Sequence, residues 1–220
     1  MQTIVVASGN KAKLREIAQI FQGYGIVSMQ DAGFAGDIEE TGATFEENAL
    51  IKARAVSRAL HCTALADDSG LCVDALGGAP GVYSARFCGR HGDDAANNAL
   101  LLEKLKDVPE NLRTAWFESC VALCFADGRE LTCTGRTYGR ILFAPEGDGG
   151  FGYDPLFYSD DLRKSFGLAT AQEKNAVSHR GRALAGLAGK LAAEKGAERD
   201  AGTFTDKKDG ARRGPRGGEQ

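Results

Sequence analysis

Apolar positions recur along this chain in two rhythms. Thr3 to Ala7 is a short unbroken apolar run, the mark of a buried strand, and it breaks at Gly9-Asn10. From Lys11 to about Gln22 the rhythm changes. Leu14, Ile17, Ala18 and Phe21 recur at i, i+3, i+4 and i+7 and predict an amphipathic helix. A second helix opens on a capping box, Thr44-Phe45-Glu46-Glu47, with Phe45, Ala49, Ala53, Val56 and Leu60 as its buried face. Thr63 to Ala66 reads as a strand that ends in a turn at Ser69-Gly70, and Gly77-Gly78-Ala79-Pro80-Gly81 reads as a loop. Asp93 or Asp94 caps a third helix through Leu105. Strict alternation from Thr114 to Ala126 puts Ala115, Phe117, Ser119, Val121, Leu123 and Phe125 on one strand face. Asp127-Gly128 signals a hairpin, with Glu130 to Arg136 returning and a further strand over Thr137 to Phe143. A glycine-rich loop, 147–155, follows, and a last helix runs from near Ser178 to Lys195.

Beyond Lys195 the pattern dissolves. Residues 196–220 hold six Gly, six Lys or Arg and five acids, with Phe204 the only large apolar side chain. Such a segment cannot offset its ordering entropy, so the expectation is a domain over 1–195 and a disordered tail over 196–220. At 220 residues with 43% hydrophobic and 26% charged positions, the chain can bury a full core. A net charge of −3 argues against stable nucleic-acid binding, which needs a basic excess. No apolar run approaches the ~18–20 residues of a membrane span, and the N-terminus lacks a secretory pattern. A cytoplasmic protein is expected. The six cysteines form no Cys-x-x-Cys pair, fit no usual zinc spacing, and read as small buried hydrophobes in a reducing compartment.

Four segments carry candidate chemistry. Asp67-Asp68 interrupts an apolar stretch, and a second acidic pair, Glu39-Glu40, lies upstream in a polar loop. Adjacent carboxylates at a strand end repel and lose hydration unless compensated, which suggests a hard divalent cation such as Mg²⁺. The alternative is a turn whose acids cap the next segment. Ser8-Gly9-Asn10-Lys11-Ala12-Lys13 joins a strand to a helix N-terminus, where free amides and the dipole favour phosphate, although no Walker pattern is present. Lys52 beside the second helix's apolar stripe either joins that phosphate site or merely snorkels. In Ser178-His179-Arg180, cations in a first helical turn oppose the dipole. A ring there should stay neutral, and Arg180 needs an acceptor. Phe151-Gly152-Tyr153-Asp154 offers an aromatic platform and a carboxylate suited to a nucleobase or sugar, with Lys174 a further cation nearby.

Together these segments resemble the XTP/dITP pyrophosphatase family, also called inosine triphosphate pyrophosphatases. The likeness rests on Ser8-Gly9-Asn10-x-x-Lys13, Glu39-Glu40-Thr41-Gly42-x-Thr44-Phe45-x-Glu47-Asn48-Ala49, Lys52-Ala53 and Ala66-Asp67-Asp68-Ser69-Gly70-Leu71. It continues through Leu76-Gly77-Gly78-x-Pro80-Gly81-Val82-Tyr83-Ser84-Ala85-Arg86, Gly149-Gly150-Phe151-Gly152-Tyr153-Asp154-Pro155 and Glu173-Lys174-Asn175-x-x-Ser178-His179-Arg180-Gly181. The resemblance implies an α/β fold with a long, curved mixed sheet flanked by helices, and two lobes with a nucleotide cleft between them. It implies a homodimer and Mg²⁺-dependent hydrolysis of deaminated purine nucleoside triphosphates to the monophosphate and pyrophosphate, cleansing the pool used for DNA and RNA. By position, Ser8, Gly9, Asn10, Lys11, Ala12 and Lys13 would bind the triphosphate with Lys52. Glu39 and Asp68 would hold the metal, with Asp68 as general base. Ser69, Phe151, Gly152, Tyr153, Asp154, Lys174, His179 and Arg180 would line the nucleotide site. Ala12 stands where the family often has Gly. Two other readings use the same cleft: a nucleotide sensor without turnover, and a pyrophosphatase preferring modified pyrimidines.

Overall fold

The computed structural model describes residues 2–205, and for Ala12 and residues 195–205 it describes the backbone alone. Seven strands and five α-helices follow one another as β1 (Gln2–Val6), α1 (Lys11–Ile20), β2 (Tyr24–Ser28), α2 (Phe45–Leu60), β3 (Ala64–Val73), α3 (Asp94–Lys104), β4 (Thr114–Cys124), β5 (Glu130–Ile141), β6 (Phe157–Ser159), β7 (Lys164–Ser165), α4 (Ala171–Val177) and α5 (His179–Thr205). The strands form one mixed sheet in the order β2-β1-β3-β4-β5-β6-β7. β1 pairs in parallel with β2 and β3, and the remaining neighbours are antiparallel.

Helices cover both faces of the sheet. On one face Ile17 of α1, Phe21 just past its end, and Ala183, Leu184, Leu187 and Leu191 of α5 pack on Ile4, Val6, Leu65, Val121 and Leu123. On the other, Phe45, Ala49, Ala53 and Val56 of α2 pack on Val5, Ala64, Ala66, Cys120, Ala122 and Cys124. Neighbouring residues of β3 and β4 therefore point alternately into two separate cores, the period-two geometry of a strand buried on both sides. The long strands then run on into a second lobe. There Leu71, Val73, Ala115, Phe117 and Ile141 meet Leu101 of α3, Leu105 at its C-cap, and the aromatic cluster Tyr153, Phe157 and Phe166.

Several expectations need correction. Asp67-Asp68-Ser69-Gly70 is no turn: β3 continues through it to Val73. Gly70 serves close approach instead, because a Cβ there would run into the Ser84 side chain and the Gly81 carbonyl. The two strands expected over 130–143 are the single β5, ending at Ile141. Ala18 is exposed, so the α1 stripe is narrower than predicted. β2, β6, β7 and α4 were not foreseen. The last helix passes Lys195 and reaches Thr205. Ala192, Ala193, Ala197 and Ala201 have the helical propensity to carry it there. The remainder of the predicted tail, 206–220, lies outside the described residues.

Candidate active site

β1 stops at Val6, its last pairing with β3 being Val6 to Leu65, whereas β3 runs eight residues further. Asp67, Asp68 and Ser69 therefore lie beside the edge that β1 leaves, facing the loop into α1. Because the strand alternates, the two acids diverge rather than repel side by side. Asp67, 4% exposed, turns toward α1 and α5. Its carboxylate accepts from Lys13 Nζ at 2.9 Å and from Arg180 Nε at 3.0 Å. Burial alone would raise the Asp67 pKa; the Lys13 and Arg180 charges outweigh it and hold the group well below the usual carboxylate range. Arg180 also reaches Glu16 at 3.4 Å and Ser69 Oγ at 3.4 Å. The acceptors that Arg180 needs are thus carboxylates of the protein itself.

Asp68 turns the other way, toward α2. It accepts from Asn48 Nδ2 at 3.1 Å and lies 3.6 Å from Lys52 Nζ, which also holds Glu40 at 2.7 Å. Burial pushes its pKa up; Lys52 opposes this and Glu40 adds to it. Lys52 is therefore no snorkelling residue but an ammonium shared by two carboxylates. Asn48, fully buried on α2, is bonded on both sides, since its Oδ1 accepts from Gly42 N at 2.8 Å.

On the Asp67 face two cavities adjoin. The larger, about 480 Å³, is bordered by Asn10, Lys13, Arg15 and Glu16 of α1 and its entry loop. The smaller, about 130 Å³, is bordered by Ser69, Gly70, Ser84, Asp94 and Phe117. Phe151, Lys174, His179 and Arg180 line both. His179 stacks on Phe117 with ring centroids 5.0 Å apart and planes at 13°. Its Nδ1 is buried without a hydrogen-bond partner. Burial, then the Arg180 and Lys174 charges, depress its pKa well below the ordinary imidazole value, so the ring is neutral as predicted.

Of the aromatic loop only Phe151 presents its ring, 65% exposed, with the Lys174 ammonium 4.3 Å from its centre. Tyr153 is buried, with its hydroxyl donating to Ser84 O at 2.9 Å. Asp154 is 1% exposed and accepts from Phe151 N at 2.8 Å and Lys174 Nζ at 2.5 Å. It organises the loop from beneath and also borders the smaller cavity. In the entry loop Ser8 Oγ accepts from Asn10 N at 3.1 Å, and Asn10 Oδ1 from Lys13 N at 3.3 Å, which caps α1. Ser8, Gly9 and Lys11 border neither cavity. Glu39 is exposed. Sequence reasoning missed Glu16, Asn48 and Phe117 as parts of this site, and it read Glu40 as one of an acidic pair for a cation rather than as the partner of Lys52. Asn48 left a signal: an amide beside Ala49 in a stripe otherwise set for burial.

Cations from α1, α4 and α5 and one exposed ring converge here on an anion-accepting cleft in an α/β sheet, with a carboxylate pair beside it. The chain matches the Ham1 family over residues 4–190 and belongs to it. It is 51% identical to the dITP/XTP pyrophosphatase of Geobacter sulfurreducens over 187 residues, spanning 84% of this chain and 94% of that protein. The Ham1 protein of Staphylococcus aureus superposes with a TM-score of 0.83 at 39% identity, covering 88% of this chain and all of that one. The crystal structure of the nucleoside-triphosphatase, dITP/XTP pyrophosphatase, of Mycobacterium abscessus gives 0.74 at 49% identity, covering 84% and 98%.

Proposed function

We propose that this chain hydrolyses deaminated purine nucleoside triphosphates (ITP, dITP and XTP) to the monophosphate and pyrophosphate. The observation that carries this reading is the pair of adjoining cavities that share Phe151, Lys174, His179 and Arg180. Both share the Phe151 face, the neutral His179 ring and the Lys174 and Arg180 charges; the smaller adds Phe117, and the larger adds Lys13 and Arg15. A nucleotide presents the matching pair of chemistries, a flat base and a polyanion. Its relatives' activity and the ordered sequence blocks agree with it.

In the reaction, water adds across the anhydride between the α- and β-phosphorus, its oxygen bonding to phosphorus as the bridging P–O bond breaks. Its proton passes to Asp68, whose upward-shifted pKa suits a general base. Lys13 and Lys52 offset charge that develops on the departing pyrophosphate. His179, held neutral, reads the base by hydrogen bonding. A pocket built for a 6-keto group and N1–H leaves polar groups unpaired when adenine enters, a penalty that reaches ~10⁴-fold.

Mg²⁺ fits the donor set. Asp68 supplies a carboxylate on the α2 side of β3, and Glu39, exposed and without a polar partner among the described residues, is available as the second. No cluster of three or more His, Cys, Asp or Glu suited to a metal occurs among the described residues. Few protein ligands, with water and phosphate oxygens completing the shell, is the usual Mg²⁺ arrangement. When bound, the ion supplies charge neutralisation on the phosphates and acidifies water. The protein acts as a cytoplasmic homodimer without stable nucleic-acid contacts; no described helix is long and apolar enough to cross a membrane.

Phosphorus NMR of inosine triphosphate incubated with the protein, with and without Mg²⁺, tests the reaction. Monophosphate plus pyrophosphate is expected with Mg²⁺ present. Diphosphate plus orthophosphate would overturn the assigned bond, and absence of turnover would favour a sensor. Turnover of modified pyrimidine triphosphates in preference to inosine triphosphate would overturn the base assignment.

A further inference from the structure

The Phe151 ring is 65% exposed and its only ring contact among the described residues is the Lys174 ammonium, so its position depends on the backbone that carries it. That backbone is held from outside the loop. Gly152, the next residue, sits in the left-handed region at φ 60°, which turns its peptide groups toward α3. Asp94 Oδ2 accepts from Gly152 N at 2.8 Å. Asn98 Nδ2 donates to Gly152 O at 2.9 Å. Asp94 and Asn98 stand four apart on α3, hence one above the other on one helix face, matching an acceptor to the glycine's N–H and a donor to its C=O. The arrangement carries a local cost, because Asn98 Oδ1 is left buried with no partner. A flipped amide would set that oxygen against Gly152 O, so the bond fixes the orientation. Asp94 also lines the smaller cavity, beside the ring it helps to place.

We infer that Asp94 and Asn98 are positioning residues for the Phe151 platform, and through it for recognition of the purine base. The inference rests on the proposed reaction and deepens it: α3, far from the acids and lysines in sequence, sets base affinity but not phosphate affinity.

The test compares wild type, Asn98→Ala, Asp94→Ala, Phe151→Ala and the Asn98→Ala/Phe151→Ala double variant. It reads kcat and KM for inosine triphosphate and inhibition by pyrophosphate, a ligand with no base. Base stacking on this ring is the interaction at stake, so partial loss of placement should raise KM about fivefold or more. The clamp variants are expected to raise KM, to keep kcat within about twofold and to leave the pyrophosphate inhibition constant unchanged. In the double variant the Asn98 substitution should add little to Phe151→Ala. An unchanged KM overturns the inference. So does a parallel weakening of pyrophosphate, or full additivity with Phe151→Ala, since either makes the clamp a general staple of the lobe. If Asn98→Ala fails to fold, Asn98→Leu and Asp94→Asn, which keep side-chain bulk, carry the same comparison. A wild type that leaves inosine triphosphate uncut overturns the proposed reaction and the inference with it, whereas active wild type with unaffected variants overturns the inference alone.

Discussion

At the scale of single residues, adjacent acids have opposite assignments because a strand sends neighbours to opposite faces. Asp68→Asn removes a proton acceptor while keeping shape, so turnover should fall at least ~10²-fold with little change in Tm. A fully active variant would end the general-base assignment. Asp67→Asn is predicted to do the reverse. It strips the shared anion from Lys13 and Arg180, leaving buried Arg180 only its longer Glu16 contact and partly buried Lys13 without its carboxylate, and should cost about 3 kcal/mol in a denaturant melt. The pKa directions fix two pH signatures. His179 has a depressed folded pKa, so its stabilising contribution is complete above the unfolded value near ~6.5 and is lost as pH falls below it. Melts of wild type should lose stability between about pH 6.5 and 5, and His179→Gln should flatten that slope. Asp67, also depressed, contributes fully above the unfolded value near ~3.9 and loses its contribution only in stronger acid. Asp68, raised, works with the opposite sign: it stabilises in acid and loses that contribution as pH rises through its folded pKa.

Between elements, the site depends on how closely α5 lies on the sheet. Gly135 of β5 faces the first turn of α5, where a Cβ would strike the backbone of His179 and Ala183. Gly135→Ala should therefore cost about 1–3 kcal/mol and raise KM for inosine triphosphate by displacing His179; thermal melts and steady-state kinetics check both. Deleting 196–220 should leave Tm and turnover nearly unchanged, because the last buried side chain described on α5 is Leu191. Local pattern made much of this legible. The capping box at Thr44 and the Asp93 cap of α3 occur as the spacing predicts. The Ser178 hydroxyl accepts from Gly181 N, as an N-cap at that place requires. The Asp127-Gly128 turn joins β4 to β5 as expected. What failed was what only tertiary contact decides. Ser69-Gly70 has turn composition, yet pairing with Ser119 and Glu118 across β4 keeps it extended. Short strands such as β6 and β7 have too few residues for a period to show. Glu16 and Asn98 look like ordinary helix-surface polar residues until α5 and the aromatic loop fold against them.

For the whole molecule, ligand binding should register as stability. If Mg²⁺ engages Asp68 and Glu39, saturating ion raises the Tm of wild type but not of Asp68→Asn, with about 2.7 kcal/mol expected at a hundredfold excess over Kd. Equal shifts in both proteins would place the ion elsewhere. The joining of the lobes has a mechanical consequence. They are not beads on a flexible linker, because β3, β4 and β5 run continuously from the core beneath α1, α2 and α5 into the core beneath α3. Neither lobe can melt without tearing the ladders that serve the other, so unfolding should be a single cooperative transition with equal calorimetric and van't Hoff enthalpies. Any opening of the cleft must then come from elastic flexing of a shared sheet, small in amplitude and quick to recoil. Amides of β3 from Leu65 to Leu71 should accordingly exchange with solvent at the pace of global unfolding, although they pass directly beneath the place where substrate enters.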